Sequence, residues 1–215
     1  MSRSEQREQT RARILQAALD IIVAEGMRSI RHRAVAERAG VSLGSTTYHF
    51  SSIEELIISA FEYWRAGKTM EDNPYYRDIV SLLSPWEGTV VPVSRRKEVA
   101  QQILQASVAY ICDQLTGTRD DRIIEMAFYH ESMRYASLRG LVASMWQVQI
   151  SFLEQVHTMM GSTQPDADAM ITSSLFRQLE QSALMSGTSD IDIDKIRRDL
   201  SRHMSLCFNE ALSTE

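Results

Sequence analysis

Three stretches of the chain carry residue types at spacings that do chemistry. Glu154-Gln155-Val156-His157 fits the Glu-x-x-His element of carboxylate di-iron bundles, and His130-Glu131-Ser132-Met133-Arg134 opens as a zinc-protease helix opens. Neither set is complete. A di-iron bundle needs a second Glu-x-x-His, which the chain lacks, and Arg134 stands where the protease helix needs its second histidine. No Gly-rich phosphate loop and no Gly-x-Ser-x-Gly elbow occurs. The expectation is therefore no enzyme, no catalytic residue, no metal and no cofactor. His130 and His157 read as ordinary polar positions or as pocket walls.

The third stretch runs from Ser42 to His49 and contains Ser, Gly and Thr in place of bulky groups. Ser45, Thr46 and Thr47 suit hydrogen bonding to base edges and contact with thymine methyls. Gly44 lets a backbone come close, and Tyr48 and His49 can reach phosphates. Ser42, Leu43 and Arg33 complete the expected DNA-contacting set. Thr46 has a rival reading, in which it packs inward. Phe50 reads as core. Two further function classes remain beside this one: a helical-bundle metal enzyme, and a helical adaptor that binds only protein. The adaptor would not need the small polar face of residues 44–47.

These residues need a scaffold, and the sequence predicts a helical one. Helical spacing recurs throughout, while strand-like alternation is nearly absent. A first helix is expected over 10–25, with Ile14, Leu15, Ala18, Ile21 and Ile22 as its stripe and Gly26 as its stop. Short helices follow over 31–39 and 42–49, with Gly40-Val41 as the turn and Ser42 as a cap. A fourth covers 52–66, capped by Ser51 or Ser52. The stretch 67–93 reads as irregular, with Asn73-Pro74 as a break and Ser84 to Gly88 as a loop. Five longer helices are expected over 94–116, 119–137, 138–160, 166–186 and 191–212. The expected fold class is all-α: a three-helix, helix-turn-helix DNA-binding domain over 1–51, then a helical ligand-sensing and dimerisation domain over 52–215.

Charge is divided along the chain. The net charge is −5, yet residues 1–50 hold eight Arg against five acids. The acidic remainder would stay off DNA while the basic end meets phosphates. Cys112 and Cys207 are isolated, which argues against a disulfide framework or zinc cluster; both read as small buried hydrophobes. With no signal-like N-terminus and no apolar span, a cytoplasmic protein is expected.

Residues 10 to 56 resemble the DNA-binding region of the tetracycline-repressor (TetR) family. The resemblance rests on Ile14-Leu15-x-Ala17-Ala18, Gly26, Val35-Ala36, Ala39-Gly40-Val41-Ser42, Gly44, Tyr48-His49-Phe50 and Glu55-Leu56. It implies a homodimeric regulator, most often a repressor, on a palindromic double-stranded operator, released by a small-molecule effector in the C-terminal domain. The family arrangement also makes the fourth helix the lever. Three positions depart from the pattern. Arg31 replaces a capping Thr, so Ser29 is the expected substitute cap. Leu43 and Ile53 each replace a frequent Lys, which removes phosphate contacts.

For the effector, Phe61, Trp64, Tyr110, Tyr129, His130, Met133, Trp146 and Gln149 are the expected lining, since Met and aromatic groups suit an adaptable pocket. Plain core packing is the alternative for most of them individually. For the homodimer, the wide apolar arc of helix 166–186 and the near-heptad stripe of helix 191–212 are the expected interface. They supply Met170, Ile171, Leu175, Leu179, Ile196, Leu200 and Met204. A two-fold axis there would set two recognition helices about 34 Å apart or slightly more.

Overall fold

Ser2 begins the first helix well before the expected start. In the computed structural model, which describes residues 2–186, 191–210 and 212, its hydroxyl accepts from the Glu5 N–H while the Glu5 carboxylate accepts from the Ser2 N–H. This reciprocal cap carries helix α1 over Arg3–Glu25, so Arg3 and Arg7 lie on the helix. The described residues form ten α-helices: α1, α2 (His32–Ala39), α3 (Leu43–His49), α4 (Ile53–Arg65), α5 (Pro74–Leu83), α6 (Val93–Thr116), α7 (Arg119–Glu131), α8 (Ala136–Met159), α9 (Pro165–Ser186) and α10 (Ile193–Phe208). The fold is all-α, as expected. No helix among the described residues is long and apolar enough to cross a membrane.

The chain divides into two compact units. The first comprises Met1–Thr69 and Asp120–Ala143. Its centre is α1, which buries Ile14, Leu15, Ala17, Ala18, Leu19, Ile21 and Ile22. These pack on α2 and α4, whose own buried faces carry Val35, Ala36, Leu56, Ile57 and Ala60. Each fully buried Ile or Leu contributes roughly 1.5–3 kcal/mol. Gly26 ends α1 at φ 84°, a backbone conformation that disfavours a side chain. Phe50 is 1 % exposed and belongs to this core, as expected.

The second unit comprises Met70–Arg119 and Ser144–Glu215. In it α6 packs on α5, α9 and α10. The core includes Ile79, Val99, Ile103, Leu104, Ile111, Leu153, Val156 and Phe176.

Three expectations need correction. The stretch read as irregular contains α5. Asn73 does not break a helix but starts one: its side chain accepts from the Tyr75 N–H, and Pro74 sits at the first helical position, where a missing N–H costs nothing. Next, α7 stops at Glu131 and α8 starts at Ala136; the Arg139 side chain donates to the Ser132 and Met133 carbonyls between them. Finally, Leu179, Ile196, Leu200 and Met204, expected at a partner, lie inside the second unit at 4 %, 4 %, 0 % and 2 % exposure. The α10 stripe is consumed by packing on α6. Of the expected interface residues, Met170 and Ile171 are exposed and Leu175 is half-buried.

Candidate nucleic-acid interface

The turn between α2 and α3 is closed by backbone geometry. Gly40 sits in the left-handed region at φ 64°, ψ 39°, and its N–H donates to carbonyls in the last turn of α2. Val41 N–H donates to the Ala36 carbonyl at 3.0 Å, completing the cap. Arg13 of α1 reaches across and donates to the carbonyls of Ala39, at 2.6 Å, and Gly40, at 3.3 Å. The turn is thereby tied to the central helix of its unit.

Ser42 then caps α3, accepting from the Ser45 N–H at 3.1 Å, with the two hydroxyls 3.0 Å apart. Around α3 the side chains sort by exposure. Ser42, Leu43, Gly44, Thr47 and Tyr48 are exposed, and Ser45 and His49 are half-buried. Thr46 is fully buried, and its hydroxyl donates to the Leu43 carbonyl at 2.8 Å, so it offers nothing to a base. The inward reading of Thr46 is the one the structure bears out. Arg33 of α2 is exposed.

Sequence reasoning underrated α1. Its one-turn arginine spacing puts Arg7 with its guanidinium 5.5 Å from the Tyr48 ring centre, and Arg11 5.4 Å from that of Phe50. The period of four among Arg3, Arg7 and Arg11 was the available signal, and it meant nothing until the helix was known to extend that far. Burial first, then the charges of Arg7 and Arg11, hold His49 below the ordinary histidine range. At neutral pH its ring is a neutral hydrogen-bonding group beside two fixed cations.

The cap of α2 differs from expectation. Ser29 donates to the Glu25 carbonyl at 3.2 Å and does not cap; Arg31 occupies the cap position without a capping bond, its guanidinium donating instead to the Arg28 and Ile30 carbonyls at 2.5 and 2.8 Å. Ser52 caps α4, and Ser51 donates its N–H and hydroxyl to the Glu55 carboxylate at 2.7 and 2.6 Å.

The residues expected around an effector fall in both units. Phe61, Trp64, Tyr129, His130 and Met133 belong to the first, where Phe61 and Trp64 are buried against Phe128 with ring centres 5.2 and 6.1 Å away. Trp64 Nε1 donates to Asp121 at 2.7 Å, and Lys68 pairs with the same carboxylate. Burial pulls Asp121 upward, but the hydrogen bonds from Lys68 and Trp64 outweigh it and hold the carboxyl below its usual range. Met133 and His130 are exposed.

Tyr110, Trp146 and Gln149 are half-buried in the second unit. Tyr110 joins an aromatic nest: Tyr75 lies 4.9 Å from it and Phe176 6.1 Å, while Phe152 is 6.3 Å from Tyr75 and 4.7 Å from Tyr76. Tyr75 and Tyr76 lie in α5, inside the stretch 67–93 expected to be irregular, and so are absent from the expected lining. Trp146 Nε1 donates to Ser173 Oγ at 3.4 Å, and the Arg177 guanidinium lies 4.3 Å from the Trp146 ring centre.

Comparison with known proteins agrees with this geometry. Residues 14–60 match the model of the bacterial regulatory proteins, tetR family. The chain is 23 % identical over 220 residues to the HTH-type transcriptional regulator PksA of Bacillus subtilis (strain 168), covering 97 % of this chain and 95 % of that one. It is 24 % identical to the HTH-type transcriptional regulator SrpR of Pseudomonas putida over 143 residues, spanning 62 % of this chain and 63 % of that regulator's length. Among solved structures, the multidrug binding protein EbrR complexed with proflavin superposes with a TM-score of 0.57 at 22 % identity, over 90 % of this chain and 99 % of that one. With α3 presented beside the α1 arginines and α2 and α3 joined through Gly40, residues 14–60 form a helix-turn-helix that matches the DNA-binding region of the tetR family of bacterial regulatory proteins.

Proposed function

We propose that the chain is a homodimeric repressor that reads a palindromic operator through α3 and is released by a small aromatic ligand held in the second unit. The observation that carries the DNA half is the face of α3. Thr47 and Tyr48 are exposed, Ser45 is accessible and Gly44 leaves the backbone uncovered. Arg7, Arg11 and Arg33 flank them as phosphate partners. Leu43 is 47 % exposed and suits contact with a thymine methyl.

The ligand half is supported by the nest of Tyr75, Tyr110, Phe152 and Phe176, whose tilted and edge-on rings suit a flat ring system. EbrR is complexed with proflavin, a flat aromatic molecule. To act, the ligand must bind the DNA-incompetent form more tightly than the competent one.

For the dimer, the buried α10 stripe leaves the outer faces of α9 and α10. Met170 is 47 % exposed, Ile171 52 % and Leu206 63 %. These are among the apolar groups available to a second copy, with Met185 and Ile193 also exposed on the two helices. A cytoplasmic location follows from this reading.

The test is selection of random duplexes by the purified chain. An enriched palindrome whose half-sites lie about one helical turn apart, ~34 Å, is expected. No enriched sequence would refute the reading. Aromatic dyes that stabilise the protein should then release the selected duplex; stabilisation without release would refute the effector half.

A further inference from the structure

Three helices of the second unit bring metal-ligating groups to one place. His157 comes from the end of α8, Asp168 from the first turn of α9, and Cys207 from α10; one donor atom from each lies within 4.8 Å of the others. His203, one turn before Cys207, places both ring nitrogens 3.6 Å from its Sγ. Thr172, one turn after Asp168, holds both imidazoles: its Oγ1 is 2.8 Å from His157 Nε2 and 2.7 Å from His203 Nε2. Ser162 Oγ donates to the Asp168 carboxylate at 2.5 Å, which orients it.

We propose that His157, Asp168 and Cys207, with His203 as fourth ligand, form a site for one divalent transition metal ion of the zinc class. In a tetrahedral zinc site with ordinary bond lengths, neighbouring N, O and S ligands are about 3.3–3.7 Å apart. The His203–Cys207 separation already has that length; metal binding would require side-chain rotation to bring the His157, Asp168 and Cys207 donors, which lie within 4.8 Å of one another, to it. The donor set selects the metal. A thiolate and two imidazoles suit borderline-soft ions, whereas magnesium and calcium need a shell of oxygens.

Polar packing leaves one atom of the cluster unsatisfied. His157 is 2 % exposed, and its Nδ1 is buried without a hydrogen-bond partner. An orphaned ring nitrogen is unfavourable in a core, and a cation held by this imidazole together with the carboxylate and the thiol would give the cluster a common partner. Binding releases the thiol proton to solvent and forms a metal–thiolate bond, with no change of oxidation state. The ion would join α8, α9 and α10. This site is independent of the operator and effector readings.

The test uses the full chain, stripped with a chelator and titrated with Co(II) as a visible stand-in for Zn(II). One Co(II) per chain, a thiolate-to-cobalt charge-transfer band in the near ultraviolet and displacement by Zn(II) are expected. Cys112→Ser should keep the band. Cys207→Ser should abolish it, and His157→Gln should weaken binding at least about tenfold. A wild-type measurement guards against misfolded variants: Zn(II) should protect Cys207, and not Cys112, from alkylation mapped by mass spectrometry. Absence of the band, its survival in folded Cys207→Ser, or equal alkylation of Cys207 with and without Zn(II) would overturn the site.

Discussion

Arg13 donates through Nη2 to the carbonyl of Ala39 at 2.6 Å, across 26 residues of sequence. That bond joins the central helix of the first unit to the last turn of α2, where the chain must reverse before α3. A carbonyl at a helix end has no intrahelical partner, and a guanidinium is a strong donor to it. The same Nη2 would lie 3.3 Å from a Cβ at Gly40.

Removing this clamp should loosen the turn. Arg13→Ala is expected to cost about 1–2 kcal/mol in urea unfolding, from loss of a charged hydrogen bond at a part-buried site. Gly40→Ala is expected to cost on the order of 1–2 kcal/mol from its left-handed backbone alone. Both variants should also bind the selected duplex more weakly. Unchanged unfolding midpoints in both would show that the clamp does not support the turn.

The burial contrast on α3 separates binding from stability. Thr47→Ala and Tyr48→Ala should each weaken duplex binding by about 1–3 kcal/mol while leaving the melting temperature in place. Thr46→Ala should lower the melting temperature, by roughly 1 kcal/mol of stability, because Thr46 is buried. Gel-shift titration beside thermal unfolding of the three variants reads both quantities. Loss of stability in Tyr48→Ala, with Thr46→Ala unaffected, would reverse the assignment.

Alkaline pH should destabilise the second unit through Tyr75. Burial pushes its phenol up to about 12, against the hydrogen bond with Ser107. Between about pH 10 and 12 the unfolded chain loses this proton and the folded chain keeps it. The unfolded form then binds fewer protons, so stability falls as pH rises, by roughly 2–3 kcal/mol across the window. Tyr75→Phe should remove most of that slope. Denaturant unfolding at a series of pH values checks it, and equal slopes in the two proteins would count against the cause given.

The dimer prediction follows from exposure. Ile171→Arg is expected to give a monomer with near wild-type melting behaviour, because Ile171 is 52 % exposed in the single chain. Sedimentation at micromolar concentration should find the wild type dimeric. A wild-type monomer, or a variant that stays dimeric, would remove α9 from the interface.

The sequence by itself determined the helix-turn-helix. Its signals are local: Gly40 fits a left-handed turn, Ser42 caps within three residues, and the stripe from Ile14 to Ile22 follows the helical period. Such signals act over one or two turns, so they can be read without knowing what lies opposite. Tertiary structure decided what depends on the opposite surface. An apolar stripe states that a face is covered but not by what, and the stripe of Ile196, Leu200 and Met204 is covered by this chain's own core rather than by a partner. Thr46 is polar by type and buried by position. Asn73-Pro74 looks alike as a break or a start until Tyr75 is seen packed among Tyr110, Phe152 and Phe176. His157, Asp168 and Cys207 lie on three helices at no motif spacing, and only the packing of α8, α9 and α10 brings their donor atoms within 4.8 Å.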